Sequence, residues 1–223
     1  MQNSQAELQR LVRKTARALG RHGLAHAYGH CSQRLDARHF LVCAAKPLKT
    51  IRPGEEGMIV PVDGPLPEGV LGEVRIHQQI YRTRPDIGGV VRSMPPQLMA
   101  LSVMGCVPRL VHGMSAYFHE GVAYWDDPQL IRDDARAEAL VKTMQSRLGL
   151  VMRGNGSVVA GDSLMEALVL TWYLEDAARI ELACLKAGRE PRLLSLEEAR
   201  RRATRHGRIF ERMWDYLTDG DSE

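Results

Sequence analysis

The stretch between Asp162 and Gly188 constrains the fold of this chain more than any other, because it reads as one long, strongly apolar helix. Asp162 or Ser163 can cap its start by accepting a hydrogen bond from a first-turn backbone N–H, and Gly188 can end it in the left-handed conformation. A helix with this much apolar surface has to be covered, by the core of its own domain or by another subunit. The longest near-apolar runs of the chain are far too short to cross a bilayer. A length of 223 residues suffices for one domain with a sizeable core. We expect that domain over 1–190, with 191–223 as a helical extension.

The remaining pattern is mixed. Residues 4–22 read as an amphipathic helix, with Leu8, Leu11, Val12, Ala16 and Leu19 at helical spacing and Gly23 able to end it. A turn-rich stretch follows from His26 to Asp36, then a short buried strand beginning at His39. Residues 57–62 suggest another strand, and Glu73 to Tyr81 a short helix bounded by Pro85. Residues 87–93 read as a strand stopped by Pro95 and Pro96. Residues 132–147 read as helix, and 148–161 as two strands around a glycine turn. Ser195 and Glu198 form a capping-box pattern that opens a last, Arg-rich helix to about 217, whose expected job is packing on a neighbour.

Composition narrows the function classes. Thirty basic and 27 acidic side chains leave a net charge of +3, and the basic residues lie scattered among acids. Aromatic residues make up only 5%, which leaves few stacking platforms, so nucleic-acid binding is not expected. The first ten residues lack the apolar core of a signal peptide. Four widely spaced cysteines without a CxxC motif fit reduced thiols in a cytoplasmic protein; Cys31 and Cys43 read as buried thiols.

Several segments, in order, resemble the class II aldolase/adducin superfamily. Gly29-His30-Cys31-Ser32-Gln33-Arg34 is similar to its glycine-started substrate loop. Leu71-Gly72-Glu73, with His77 four residues later and then Ile80-Tyr81, is similar to its acid-bearing helix. Arg84-Pro85-Asp86 and Gly89-Val90-Val91 lead into the strand that in the family ends in His-x-His. Met152 to Gly156 resembles the turn that supplies a third histidine, and Leu174 to Arg179 the final family helix. The resemblance implies a three-layer α/β/α fold around a central, mostly antiparallel sheet. It also implies a homo-oligomer, with a tetramer favoured.

The departures from the family pattern carry the chemical expectation. The three metal-histidine positions hold Arg92, Met94 and Asn155. A guanidinium repels a dication, and a thioether is a soft ligand, so no metal cofactor is expected. Arg92 can instead supply the lost positive charge and grip a carboxylate or oxyanion with parallel hydrogen bonds. Glu73 occupies the place of the family's general acid/base. Ala44, Ala45, Leu71 and Gly72 stand where sugar-phosphate enzymes keep hydroxyls, which argues for an unphosphorylated substrate, although Lys46 could partly compensate.

Tyr117 and His119 could take over a proton-donating role, because Gly113 falls at the position of the family's aromatic hydroxyl. His30, Ser32, His112, His119, Arg153 and Asn155 are the candidate substrate contacts. A relocated divalent metal on His112, His119 and Glu73 is the minor alternative. Together these readings imply a carbon–carbon lyase for a small carboxylate, with decarboxylation of a hydroxylated aromatic or keto acid ahead of aldol cleavage. An isomerase or a condensing or cyclising enzyme, and a non-catalytic adducin-like scaffold, are the alternatives.

Overall fold

The computed structural model describes residues 4–223. The reading of the chain start extends to residues 1–3, which lie outside the described residues. The strands are β1 (His30–Arg34), β2 (His39–Val42), β3 (Met58–Pro61), β4 (Gly89–Ser93), β5 (Ala123–Trp125), β6 (Gly149–Met152) and β7 (Gly156–Gly161). The helices are α1 (Gln5–Arg21), α2 (Arg75–Thr83), α3 (Pro96–Ser102), α4 (Asp134–Met144), α5 (Leu164–Lys186), α6 (Leu196–Arg202) and α7 (Ile209–Thr218). The strands form one sheet in the order β3-β2-β1-β4-β7-β6-β5. Every pairing is antiparallel except β5 with β6.

Strand alternation assigns the two faces of the sheet. Cys31 and Gln33 of β1 point one way: the Cys31 thiol reaches the Val12 carbonyl of α1, and Gln33 Oε1 accepts from the backbone N–H of Leu164 in α5. His30, Ser32 and Arg34 point the other way, toward α2, where Ser32 and Arg34 meet His77, Tyr81 and the Tyr81 carbonyl. Helices α1 and α5 therefore cover one face and α2 the other, with α4 packed beside α2. This is the three-layer arrangement the resemblance implies.

Local chemistry explains the element ends. Ser4 and Glu7 form a reciprocal capping box at the start of α1. Ser163 caps α5 by accepting from the Glu166 N–H, and Gly188, with φ of 67°, follows its end. Gly89 permits the close seat of α5 on the sheet, because a Cβ there would lie 2.2 Å from the Leu164 nitrogen. The apolar helix is covered by its own domain: Leu164, Leu168, Leu170 and Leu174 are fully buried against the sheet and neighbouring helices. Each such leucine contributes about 1.5–3 kcal/mol of burial.

The structure corrects the sequence reading in three places. The stretch around His30 is a strand, since its residues pair with both β2 and β4. The segments forming α3 and β5 had no element assigned. The final helix is two helices: the chain leaves helical geometry after Arg202 and turns through Gly207 and Arg208, with φ of 77° and 56°. The break brings Phe210 against Tyr117 and Tyr173, so the neighbour on which α7 packs is the chain's own α5.

Candidate active site

Arg92 sits near the end of β4, in mid-sheet, flanked by His30 on β1 and Val158 on β7. It is the largest fully buried side chain, 1% exposed. Its Nη2 donates to Asn155 Oδ1 at 2.8 Å and lies 3.4 Å from Glu73 Oε2. Asn155 belongs to the turn between β6 and β7. That turn must pass tightly over the end of β4, because a Cβ at Gly156 would come within 2.0 Å of the Ser93 carbonyl oxygen. Glu73 lies in a one-turn 3-10 segment, Gly72–Val74, that leads into α2. Its Oε1 accepts a long hydrogen bond, 3.4 Å, from the Ile131 N–H.

These side chains open on a cleft of about 720 Å³, whose walls include His30, Lys46, Met94, Leu130 and Arg132. Arg92 Nε and Nη1 and Asn155 Nδ2 are buried without a hydrogen-bond partner among the described residues. Buried polar atoms are nearly always paired, so such a cluster of spare donors marks a place prepared for an acceptor. Burial draws the Arg92 pKa down and Glu73 opposes it. Lys46 Nζ is held by Glu55 at 2.9 Å.

Behind the cleft runs a buried polar string. His30 Nδ1 meets His77 Nε2 at 2.8 Å, His77 Nδ1 meets Ser32 Oγ at 2.6 Å, and Ser32 Oγ meets the Tyr81 hydroxyl at 2.9 Å. Burial, with Arg92 nearby, pulls His77 down to about 3. Burial, then His77 and Arg92, also hold His30 well below the ordinary imidazole range. Both rings are therefore neutral near pH 7. The string follows from two periodicities: His30 and Ser32 share one face of β1, while His77 and Tyr81 share one face of α2. In the sequence His77 and Tyr81 stood out only as part of the family resemblance, and neither was expected among the site residues, although both spacings are local.

Of the residues picked out in the sequence, the fold brings Glu73, Arg92, Asn155, His30 and Met94 together around this cleft. Ser32 stands behind it, bonded to His77 and Tyr81 rather than lining it. Arg153 points outward and pairs with Asp126. Tyr117 and His119 line a separate cavity of about 270 Å³ with Arg84 and Arg205. The Tyr117 hydroxyl donates to the Thr204 carbonyl and its ring stacks on Tyr173, so within one chain it is a packing residue. His112 Nδ1 accepts from the Met114 N–H, and its Nε2 lies 3.8 Å from Asp176 Oδ2. His112, His119 and Glu73 do not converge: no three His, Cys, Asp or Glu side chains gather in metal-binding fashion among the described residues. Leu130 and Arg132 of the cleft carry no local signal that would have found them.

The family's divalent metal does not fit the residues present. A buried guanidinium occupies the centre, and of the three positions only Asn155 offers an oxygen, which already accepts from it. Thioether and cation cannot replace imidazoles around a dication.

Comparison with known proteins agrees with this architecture. The profile of the class II aldolase and adducin N-terminal domain matches residues 10–182. The chain is 27% identical over 189 residues to a 3,4-dihydroxyphthalate decarboxylase of Arthrobacter keyseri, covering 77% of this chain and 76% of that one. It is 29% identical over 140 residues to rat (Rattus norvegicus) beta-adducin, covering 60% of this chain and 19% of adducin. Among solved structures, an aldolase II superfamily protein from Pseudomonas syringae superposes with a TM-score of 0.80 at 23% identity, over 97% of this chain and 92% of the other. The profile spans most of the chain and ends inside α5, leaving α6 and α7 beyond it. By sequence and by fold, the chain belongs to the class II aldolase and adducin family.

Proposed function

We propose that this protein is a lyase that decarboxylates a small unphosphorylated acid, a hydroxylated aromatic or keto acid, without a divalent metal. One observation carries the reading: a buried guanidinium with spare donors stands beside a carboxylate, Glu73, in a cleft of substrate size. The decarboxylase name of a relative supports the same reaction class. The mixed walls, with Leu130 and Met94 beside the charged groups, suit an aromatic acid.

For a hydroxylated aromatic acid the reaction starts at the ring hydroxyl. Glu73 takes the proton of the ring hydroxyl, and Arg92 with Asn155 holds the resulting oxyanion. The ring carbon bearing the carboxylate takes that proton from Glu73. The carbon–carbon bond then breaks, CO₂ leaves, and the released electron pair restores the aromatic oxyanion, which regains a proton from solvent. Preorganised donors aimed at an oxyanion are worth about 10²–10³ in rate, and a positioned acid/base about 10²–10⁴. Under this reading the partners are a small carboxylate and further copies of the chain, in the cytoplasm.

A panel of hydroxybenzoates and keto acids, assayed for CO₂ release, tests the proposal. Glu73→Gln should lower turnover by about 10²–10⁴ while leaving binding nearly intact. Turnover indifferent to Glu73→Gln removes its acid/base role. One tightly bound metal ion per purified chain sinks the replacement of metal by Arg92. A panel without any turnover favours the non-catalytic, adducin-like scaffold.

A further inference from the structure

Resting on the carboxylate reading above, we propose that His30 is a catalytic residue of this cleft: a neutral imidazole that donates a hydrogen bond from Nε2 to the substrate oxygen on which charge develops. His77, Ser32 and Tyr81 are then positioning residues, which act only through His30.

Placement comes first. His30 is the direct strand partner of Arg92, so the two side chains project from the same face of the sheet. The imidazole is 2% exposed and lines the cleft. Its Nδ1 is taken by His77, whereas its Nε2 has no partner among the described residues. An imidazole kept only for packing would leave no buried nitrogen unmatched. Arg92, Asn155 and His30, each with a spare polar atom among the described residues, thus line one cavity from three strands or turns.

The string behind His30 can be ordered in two ways. Tyr81 donates to the Ser32 carbonyl at 2.9 Å, because a carbonyl can only accept. If the Ser32 hydroxyl donates to His77 Nδ1, the Tyr81 proton is shared between the Ser32 carbonyl and Oγ, His77 Nε2–H donates to His30 Nδ1, and His30 carries its proton on Nε2. If Ser32 donates to the Tyr81 oxygen, the hydrogen bonds at both imidazoles reverse and His30 presents a lone pair. An oxyanion held by Arg92 selects the first order, since it accepts from an N–H and repels a lone pair. The depressed basicity of both rings keeps this donor neutral, so it neither competes with Arg92 for charge nor releases a proton. Neutral imidazole donors are an established catalytic device in other folds.

The test uses the full chain labelled with ¹⁵N at its histidine rings, with 2-hydroxybenzoate as ligand. The complex should show His30 protonated on Nε2 alone, with that resonance shifted by the ligand. His30→Phe should weaken binding about tenfold, the ratio expected for one hydrogen bond to a charged acceptor, while His30→Gln, which keeps a donor, should stay within about threefold. Ser32→Ala should mix the two His30 tautomers in the spectrum without unfolding the chain. A complex with His30 protonated on Nδ1, or His30→Phe binding as well as the unaltered chain, overturns the inference and leaves the carboxylate site standing. Failure of the unaltered chain to bind, or binding that survives Arg92→Met undiminished, overturns the carboxylate reading and this inference with it.

Discussion

Two buried arginines on one fold divide the molecule. Arg17 of α1 is fully matched: its Nε and Nη2 grip both Asp221 oxygens at 2.8 and 2.5 Å, and Nη2 also reaches Glu223 at 2.8 Å. Arg92 is buried more deeply still, with side-chain exposures of 2% against 8%. Yet it meets one carboxylate, at 3.4 Å, and keeps two nitrogens spare among the described residues. Their pKa directions differ accordingly. Hydrogen bonds donated to Asp221 raise that of Arg17 despite burial, whereas burial lowers that of Arg92. The first guanidinium contributes stability by holding the chain end to α1. The second keeps unused hydrogen bonds, which under the proposed function are its capacity to bind an anion. The same residue type does opposite work because of how many partners reach it.

Arg92→Met should have the largest effect on this contrast. Removing the cation from the cleft should cost about 10²–10³ in turnover of whichever panel acid is accepted, through loss of oxyanion stabilisation. Because the hydrophobic replacement relieves a poorly compensated buried charge, thermal stability should hold or rise. Activity retained in Arg92→Met, checked by steady-state kinetics, ends the comparison.

Arg17→Met should do the reverse. It should cost about 3 kcal/mol of stability, the scale for breaking a buried ion pair, with catalysis at permissive temperature unchanged. The clamp also has a pH signature. Burial pushes the Asp221 carboxyl up, but hydrogen bonds from Arg17 and Arg21 outweigh it and bring it to about 2. Hydrogen bonds from Arg13 lead in bringing Glu223 to about 2 as well. Both folded values lie below the ordinary 3.8 and 4.5, so their stabilisation is full above those values and is lost as pH falls toward 2. Acid titration of the melting temperature should therefore show a steeper fall between about pH 4.5 and 2 in the unaltered chain than in Arg17→Met.

Tyr117→Phe carries the smallest expected effect. It removes one hydrogen bond, to the Thr204 carbonyl, worth about 1 kcal/mol, and should change turnover less than about threefold. A hundredfold loss of activity would instead show Tyr117 serving a cleft, one supplied by another copy of the chain.

Much of the frame was legible. The ends of α1 and α5 were written in caps and terminal glycines, which act within one turn. Glu73 was legible as a retained family position, and Arg92 and Asn155 as departures from the family pattern, and the three do meet. The split of the last helix was not, because Arg-rich residues on either side of Gly207 have acceptable helix propensity. The chain turns at Gly207 and Arg208, and Phe210 then packs against the stacked Tyr117 and Tyr173 rings, a tertiary contact. Tyr117 was drawn toward the chemistry by its nearness to Gly113, and Ser32 by its loop, whereas their hydroxyls face other partners.

The sequence by itself determined which chemical groups this protein could use: a carboxylate at 73, a guanidinium at 92 and an amide at 155 in place of imidazoles. Only the tertiary structure decided which of those groups are spent and which are free. The partners lie far apart along the chain, Asn155 being 63 positions from Arg92 and Asp221 being 204 from Arg17. No local pattern encodes such distances. Whether a buried charge is a clamp or a binding site depends on what else the fold brings within hydrogen-bond reach, because inside a protein water no longer supplies the missing partners.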